Sequence, residues 1–148
     1  MLLFLFALLA WVLVIIFVKK PVTGLWTAGF IGITIVAIAD YTGISLNLYY
    51  YPGGIFYMGG IPLFLLLGTY AASILYLYWL PRQWRERFLY TAYVSVLFLA
   101  VEAVVYSLGG IAYPNWKLWY SYFLLVAGLT VLAASFSMIT SPAKIIDK

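Results

Sequence analysis

The sequence contains neither cysteine nor histidine. Without cysteine there is no disulfide and no thiolate nucleophile, and without histidine no Ser-His-Asp or Cys-His arrangement. The same absences remove imidazole-ligated haem and ordinary zinc or copper sites, so neither a metal nor a cofactor is expected. Charge is also scarce: 8 % of the 148 residues are charged, against about a quarter in a soluble globular domain. Side-chain chemistry is left to Asp40, Glu102, Lys117 and the tyrosines. So short an inventory argues against an enzyme.

What is present is apolar. Hydrophobic residues make up 67 % of the chain, more than a water-soluble fold of this size could hide, so the bilayer is the expected solvent. A helix needs about 17 to 25 residues to cross. Five stretches qualify, at 2–18, 24–40, 62–80, 88–109 and 118–139. They predict an all-α membrane protein: five transmembrane helices forming a single bundle over residues 1–148. The prolines agree, because Pro21, Pro52, Pro62, Pro81, Pro114 and Pro142 all fall in connections or at span ends, where they do no harm to a helix.

Charge sets the orientation. A secretory signal has basic residues before its apolar core. Here nothing basic precedes the first run and "VKKP" follows it, so it reads as a retained helix with its N-terminus outside. On the opposite side fall Lys19, Lys20, Arg82, Arg85, Arg87, Lys144 and Lys148, against Lys117 alone outside. Seven against one is a positive-inside asymmetry, which predicts N-outside, C-inside and a multi-pass protein of the cytoplasmic membrane. The net charge of +4 is thereby used up in anchoring spans, and no nucleic-acid partner is expected. Trp26, Trp79 and Trp84 near the inner interface and Trp116 and Trp119 near the outer one read as an aromatic belt.

The fourth span, "LFLAVEAVVYSLGG", carries Glu102 in its middle. A charged carboxylate at the centre of a membrane helix costs about 2.5–3.5 kcal/mol on insertion scales, so it should face the bundle interior. At 100° per residue, Thr91, Ser95, Tyr106 and Gly109 lie within roughly 40° of Glu102, with Tyr93, Leu97, Ala100 and Val104 opposite. Glu102 lies roughly 10 Å below the expected helix end, and Lys117 just beyond that end could bend part of the way towards it. Asp40 closes "TIVAIAD" at the expected end of the second span, where a carboxylate can simply reach water. The candidate functional polar residues are therefore Glu102, Asp40, Tyr106, Ser95 and Lys117. Gly68 and Ala72, and Ser121, Gly128 and Ser135, form small-residue rows that predict close helix packing. The connection "YTGISLNLYYYPGGIFYMGG" is too apolar for a solvated loop and is expected to lie in the interface or fold back over the bundle.

The order "KKP", "AIAD", "YYYP", "LPRQWRER", "AVEAVVYS", "YPNWKLWYSYF" resembles a family of small five-helix integral membrane proteins from Gram-positive, often spore-forming bacteria. The likeness runs from about Lys19 to Phe123 and rests on Pro21, Asp40, Pro52, Glu102, Trp116 and Trp119. That family has no established activity, so the resemblance implies topology and no reaction. Three functions stay open. The first is a non-catalytic accessory or structural subunit of a membrane complex, with a partner membrane protein or further copies of itself beside the lipid bilayer. The second is a proton- or cation-coupled carrier or channel component using Glu102. The third is a membrane-embedded acid/base enzyme using Asp40 and Glu102.

Overall fold

In a computed structural model, residues 1–19 and 24–140 are described. Lys20, Pro21, Pro142, Lys144 and Lys148 of the sequence argument lie outside them. Five helices follow in order: α1 Leu2–Phe17, α2 Leu25–Ser45, α3 Leu63–Tyr78, α4 Trp84–Ser107 and α5 Leu118–Ile139. A short antiparallel hairpin, β1 Tyr57–Met58 and β2 Ile61–Pro62, precedes α3. Its turn is Gly59–Gly60, both at positive φ, where a side chain would be strained.

Three helices, α2, α4 and α5, are long and apolar enough to cross a membrane, whereas α1 and α3 are apolar helices of 16 residues. The protein is thus a helical membrane protein by length and composition. Helix α3 lies between α1 and α2, and α5 packs on both α4 and α2. Small residues permit the close approaches. A Cβ at Gly68 of α3 would collide with the Phe6 ring and come within 3.2 Å of the Ala7 backbone in α1, and one at Gly29 of α2 would meet the Tyr70 ring at 2.8 Å.

The bundle has two distinct ends. At one, Leu25, Ala28, Tyr76, Leu77, Leu132 and Ala133 form a buried cluster, and the Phe17 and Trp79 rings meet edge-on at 5.3 Å. The basic side chains Lys19, Arg82, Arg85 and Arg87 follow α1 or flank the start of α4 at this end. Arg87 ties it together, donating to the Pro81 carbonyl and to Ser137 Oγ of α5. At the other end Leu3, Tyr49, Val105 and Ile111 form a separate cluster beneath the connecting loops.

Two boundaries differ from the sequence reading by more than two residues: α4 starts at Trp84 rather than at 88, and α2 ends at Ser45 rather than at 40. Helix α2 runs past Asp40 to Ser45 and stops at Asn47, whose positive φ closes it. Asn47 N–H donates to the Ile44 carbonyl and Leu48 N–H to that of Gly43, the Schellman pattern with asparagine in place of glycine. Helix α4 ends the same way at Gly109, with Gly110 N–H on the Val105 carbonyl. Both chain exits are thereby turned over the top of the bundle rather than away from it.

Candidate functional site

The two turned-back loops meet. Tyr50 and Ala112 exchange backbone hydrogen bonds as an isolated antiparallel bridge, and the Asn115 side-chain amide donates to the Asn47 carbonyl at 3.0 Å. This loop layer covers a cavity of about 230 Å³ lined by residues from all five helices. Most of the wall is aliphatic, and Asp40 and Glu102 both line it beneath the loops.

Asp40 is 7 % exposed, because α2 continues for more than a turn beyond it. The sequence expectation of a carboxylate reaching water at a span end is corrected by that extra turn. Its oxygens are taken up from above: Tyr49 donates to Oδ1 at 2.9 Å and Tyr51 to Oδ2 at 3.1 Å. Glu102 is half-buried and uses one oxygen twice. Tyr113 and Ser121 both donate to Oε1, the serine at 2.5 Å. Ser121 in turn accepts from Trp116 Nε1 at 2.9 Å, so a belt tryptophan of the sequence reading is recruited to the site. Among the described residues no hydrogen bond reaches Glu102 Oε2.

The three phenols belong to the loop layer and are held as donors. Burial pushes the Tyr49 hydroxyl up, and the negative charges of Asp40 and Glu102 add to it. Tyr51 moves the same way for burial and the Asp40 charge, and Tyr113 for burial and its bond to Glu102. The Tyr49 and Tyr113 rings are in edge contact at 6.4 Å, joining the two carboxylate clusters. Among the described residues no lysine or arginine lines the cavity, and no group of three or more potential metal ligands occurs.

The remaining sequence candidates sit apart from this cavity. Tyr106 is 47 % exposed and stacks on the Tyr113 ring at 4.6 Å. It braces the phenol that reaches Glu102 and makes no hydrogen bond of its own to the carboxylate. Its place on the buried face is taken by Val105, since the loops cover α4 on the Val105 side. Lys117 is the exposed N-cap residue of α5 and does not line the cavity, so the inward bend towards Glu102 does not occur. The hydrogen bonds of Tyr113 and Ser121 occupy the glutamate instead.

Thr91 and Ser95 are buried, as their stripe requires, while Tyr93, Leu97 and Val104 on the opposite side are exposed. Thr91 pairs with the Tyr76 hydroxyl at 2.7 Å, but Ser95 Oγ has no partner. Ser95→Ala should therefore leave stability unchanged or raise it by up to about 1 kcal/mol, because a hydroxyl buried without a bond is a cost. Thr91→Ala should lower it by about 1 kcal/mol. Thermal unfolding of both in one detergent checks this, and a Ser95→Ala loss matching that of Thr91→Ala would contradict it.

Sequence reasoning passed over three cavity residues. Ser121 and Gly128 were visible as packing residues, yet one bonds Glu102 and the other lines the cavity. Ser73 of α3, beside the Gly68 and Ala72 row, is 5 % exposed, lines the cavity and makes no hydrogen bond among the described residues. Its hydroxyl is directed at Gly32 of α2, where a Cβ would collide with it. No signal in one sequence separates a serine packed against a helix from one that borders a cavity. No family model, curated protein or solved structure matches the chain.

Proposed function

We propose that this chain is a five-span integral protein of the cytoplasmic membrane, N-terminus outside and C-terminus inside, serving as a carrier or channel component. In this reading the cavity binds a proton or small cation between Asp40 and Glu102. One observation carries the proposal. Among the described residues, two carboxyl groups share a mostly aliphatic cavity with no basic side chain in its wall, and one glutamate oxygen is left without a donor. Ionised carboxylates are costly in such surroundings unless a proton or cation joins them.

The orientation is supported by the basic residues at the end opposite the cavity, and the crossing of α1 and α3 by their packing against each other and, for α3, against α2. Kinship with the small five-helix bacterial family belongs to the same proposal and rests on the residues quoted for it. A non-catalytic role is also proposed. The hydrogen-bonding side chains around the carboxylates are phenols and hydroxyls that hold them in place, and the chain has no imidazole or thiol. As an accessory subunit, the chain would use Glu102 as a tie to a partner helix. That reading is less favoured because the bonds to Oε1 come from Tyr113 and Ser121 of this chain.

The test is ion flux into liposomes containing the purified protein, wild type against Glu102→Gln. Glutamine keeps the shape and an acceptor for Tyr113 and Ser121 but cannot ionise. Flux should fall at least about tenfold while the unfolding temperature stays within a few degrees. Equal flux in the two proteins, or none in wild type together with a stoichiometric second protein after gentle extraction, would favour the accessory reading instead.

A further inference from the structure

A second concavity adjoins the acidic cavity. It is an apolar groove of about 360 Å³ between α1, α3 and α4, with Leu9, Leu13, Trp79, Tyr93, Leu97 and Val101 among its walls. It exists because α1 packs mainly on α3 while α4 packs mainly on α5, which leaves the α1–α4 seam unfilled. Leu9, Trp79, Tyr93, Leu97 and Val101 are each at least 41 % exposed, so the groove is open along its side. Phe6, Ala72, Phe98 and Val101 line both spaces, so groove and cavity meet at these four side chains.

The polar end has features of a binding site beyond its two carboxylates. Ser73 is nineteen-twentieths buried, borders the cavity and has no hydrogen-bond partner among the described residues. Ser73 and Glu102 both line the cavity, and the serine hydroxyl and Glu102 Oε2 are two acceptors with no donor among the described residues. A ligand group that donates hydrogen bonds and carries positive charge satisfies both, and an ammonium does so. A phosphate-bearing head group does not, since among the described residues no basic side chain lines the cavity to meet it and the carboxylates would repel it.

From Val101 to Tyr90 the groove follows α4 for roughly 16 Å, at 1.5 Å per residue, enough for an extended chain of about a dozen carbons. Resting on the cation-binding reading above, we infer that the ligand is a phosphate-free, single-chain amphiphilic amine, with its ammonium at Glu102, Asp40 and Ser73 and its chain in the α1–α4 groove. The groove does not itself select the chain, because bilayer tails are as apolar as its walls. Selection comes from the amine, and the groove lets an amine already dissolved in the membrane reach the carboxylates from the side.

The experiment is equilibrium binding of labelled dodecylamine and butylamine to the full chain in phosphatidylcholine nanodiscs, with dodecanol as the uncharged control and empty nanodiscs subtracted. Dodecylamine should bind once per chain and at least about tenfold more tightly than dodecanol, and Glu102→Gln should remove that preference. Leu97→Trp narrows the groove from an exposed position. It should weaken dodecylamine about tenfold and leave butylamine unchanged.

If the long chain binds Leu97→Trp as well as wild type, or dodecanol matches dodecylamine, the inference is overturned. Butylamine binding that depends on Glu102 would then leave the cation site standing. If neither amine binds above empty nanodiscs, the cation-binding reading falls with it. Should Leu97→Trp fail to fold, dodecylamine with a photoreactive group at its chain end decides the question on wild type. Labelling at Leu13 or Trp79, the far end of the groove, supports the inference, and labelling elsewhere overturns it.

Discussion

Asp40→Leu is expected to destabilise the protein by about 2–4 kcal/mol and to release the loop layer from the bundle. The carboxylate is the acceptor for both Tyr49 and Tyr51, and leaving a buried donor unmade costs about 1–3 kcal/mol each. Asp40→Asn should cost only about 1 kcal/mol. Its carbonyl still accepts from one phenol, and the other phenol oxygen can accept from the amide. The contrast separates hydrogen bonding from charge, because asparagine keeps the first and loses the second. Denaturant unfolding in a single detergent gives both values. A second readout is Trp116 fluorescence, since that indole packs on the Tyr49 ring at 5.6 Å and should change environment when the layer lifts. Stability of Asp40→Leu equal to wild type would show that Asp40 does not hold the loops, and an equal loss in Asp40→Leu and Asp40→Asn would show that its charge, not its hydrogen bonding, holds them.

Gly43→Ala should destabilise by about 1–3 kcal/mol, the usual cost of overpacking a close contact. A Cβ there would sit 2.5 Å from carbons of the Tyr49 ring and 2.6 Å from its hydroxyl oxygen. The ring is pinned by Asp40 below and Trp116 beside it, so it has little freedom to give way. The cost should fall when the ring is removed first. In a Tyr49→Leu background, Gly43→Ala should be nearly neutral, giving a coupling energy of about 1 kcal/mol or more in a double-mutant cycle. Additive effects would place the clash elsewhere. The same cycle tests whether the carboxylate cluster depends on this one close approach between α2 and the loop.

Much of the architecture was legible in the chain. Apolar run length and proline placement located all five helices, because a bilayer penalises any backbone whose polar groups are unsatisfied. The polar stripe on α4 was legible in part, because Tyr106 and Gly109 of the expected stripe are exposed. Thr91 and Ser95 are buried and Tyr93, Leu97 and Val104 exposed, since helical periodicity maps one-dimensional spacing onto a face. The apolar loop that folds back was visible for a similar reason, as an apolar connection must find cover. The end of α2 was not. Asp40 looked like a boundary because it is charged, whereas the real stop is Asn47, whose left-handed conformation is decided by local hydrogen bonds.

The candidate site shows where a sequence stops informing. Glu102 and Asp40 stood out individually, because a carboxyl in an apolar run is conspicuous whatever surrounds it. Their partners did not stand out. Among 14 tyrosines, nothing distinguishes Tyr49, Tyr51 and Tyr113, which bond the carboxylates, from Tyr106, which supports one of them from outside. Lys117 is the one basic residue that could bend part of the way towards Glu102, yet Tyr113 and Ser121 hold the glutamate.

By itself, then, the amino-acid sequence determined the solvent, the helices, the facing of the first half of α4 and the two unusual carboxyls. Those follow from composition and from spacing along one helix. Tertiary structure alone decided that Asp40 and Glu102 line one cavity, which phenols bond them, and that a groove opens between α1 and α4. Each of those depends on how helices distant in sequence pack, and spacing within any single helix carries no record of that.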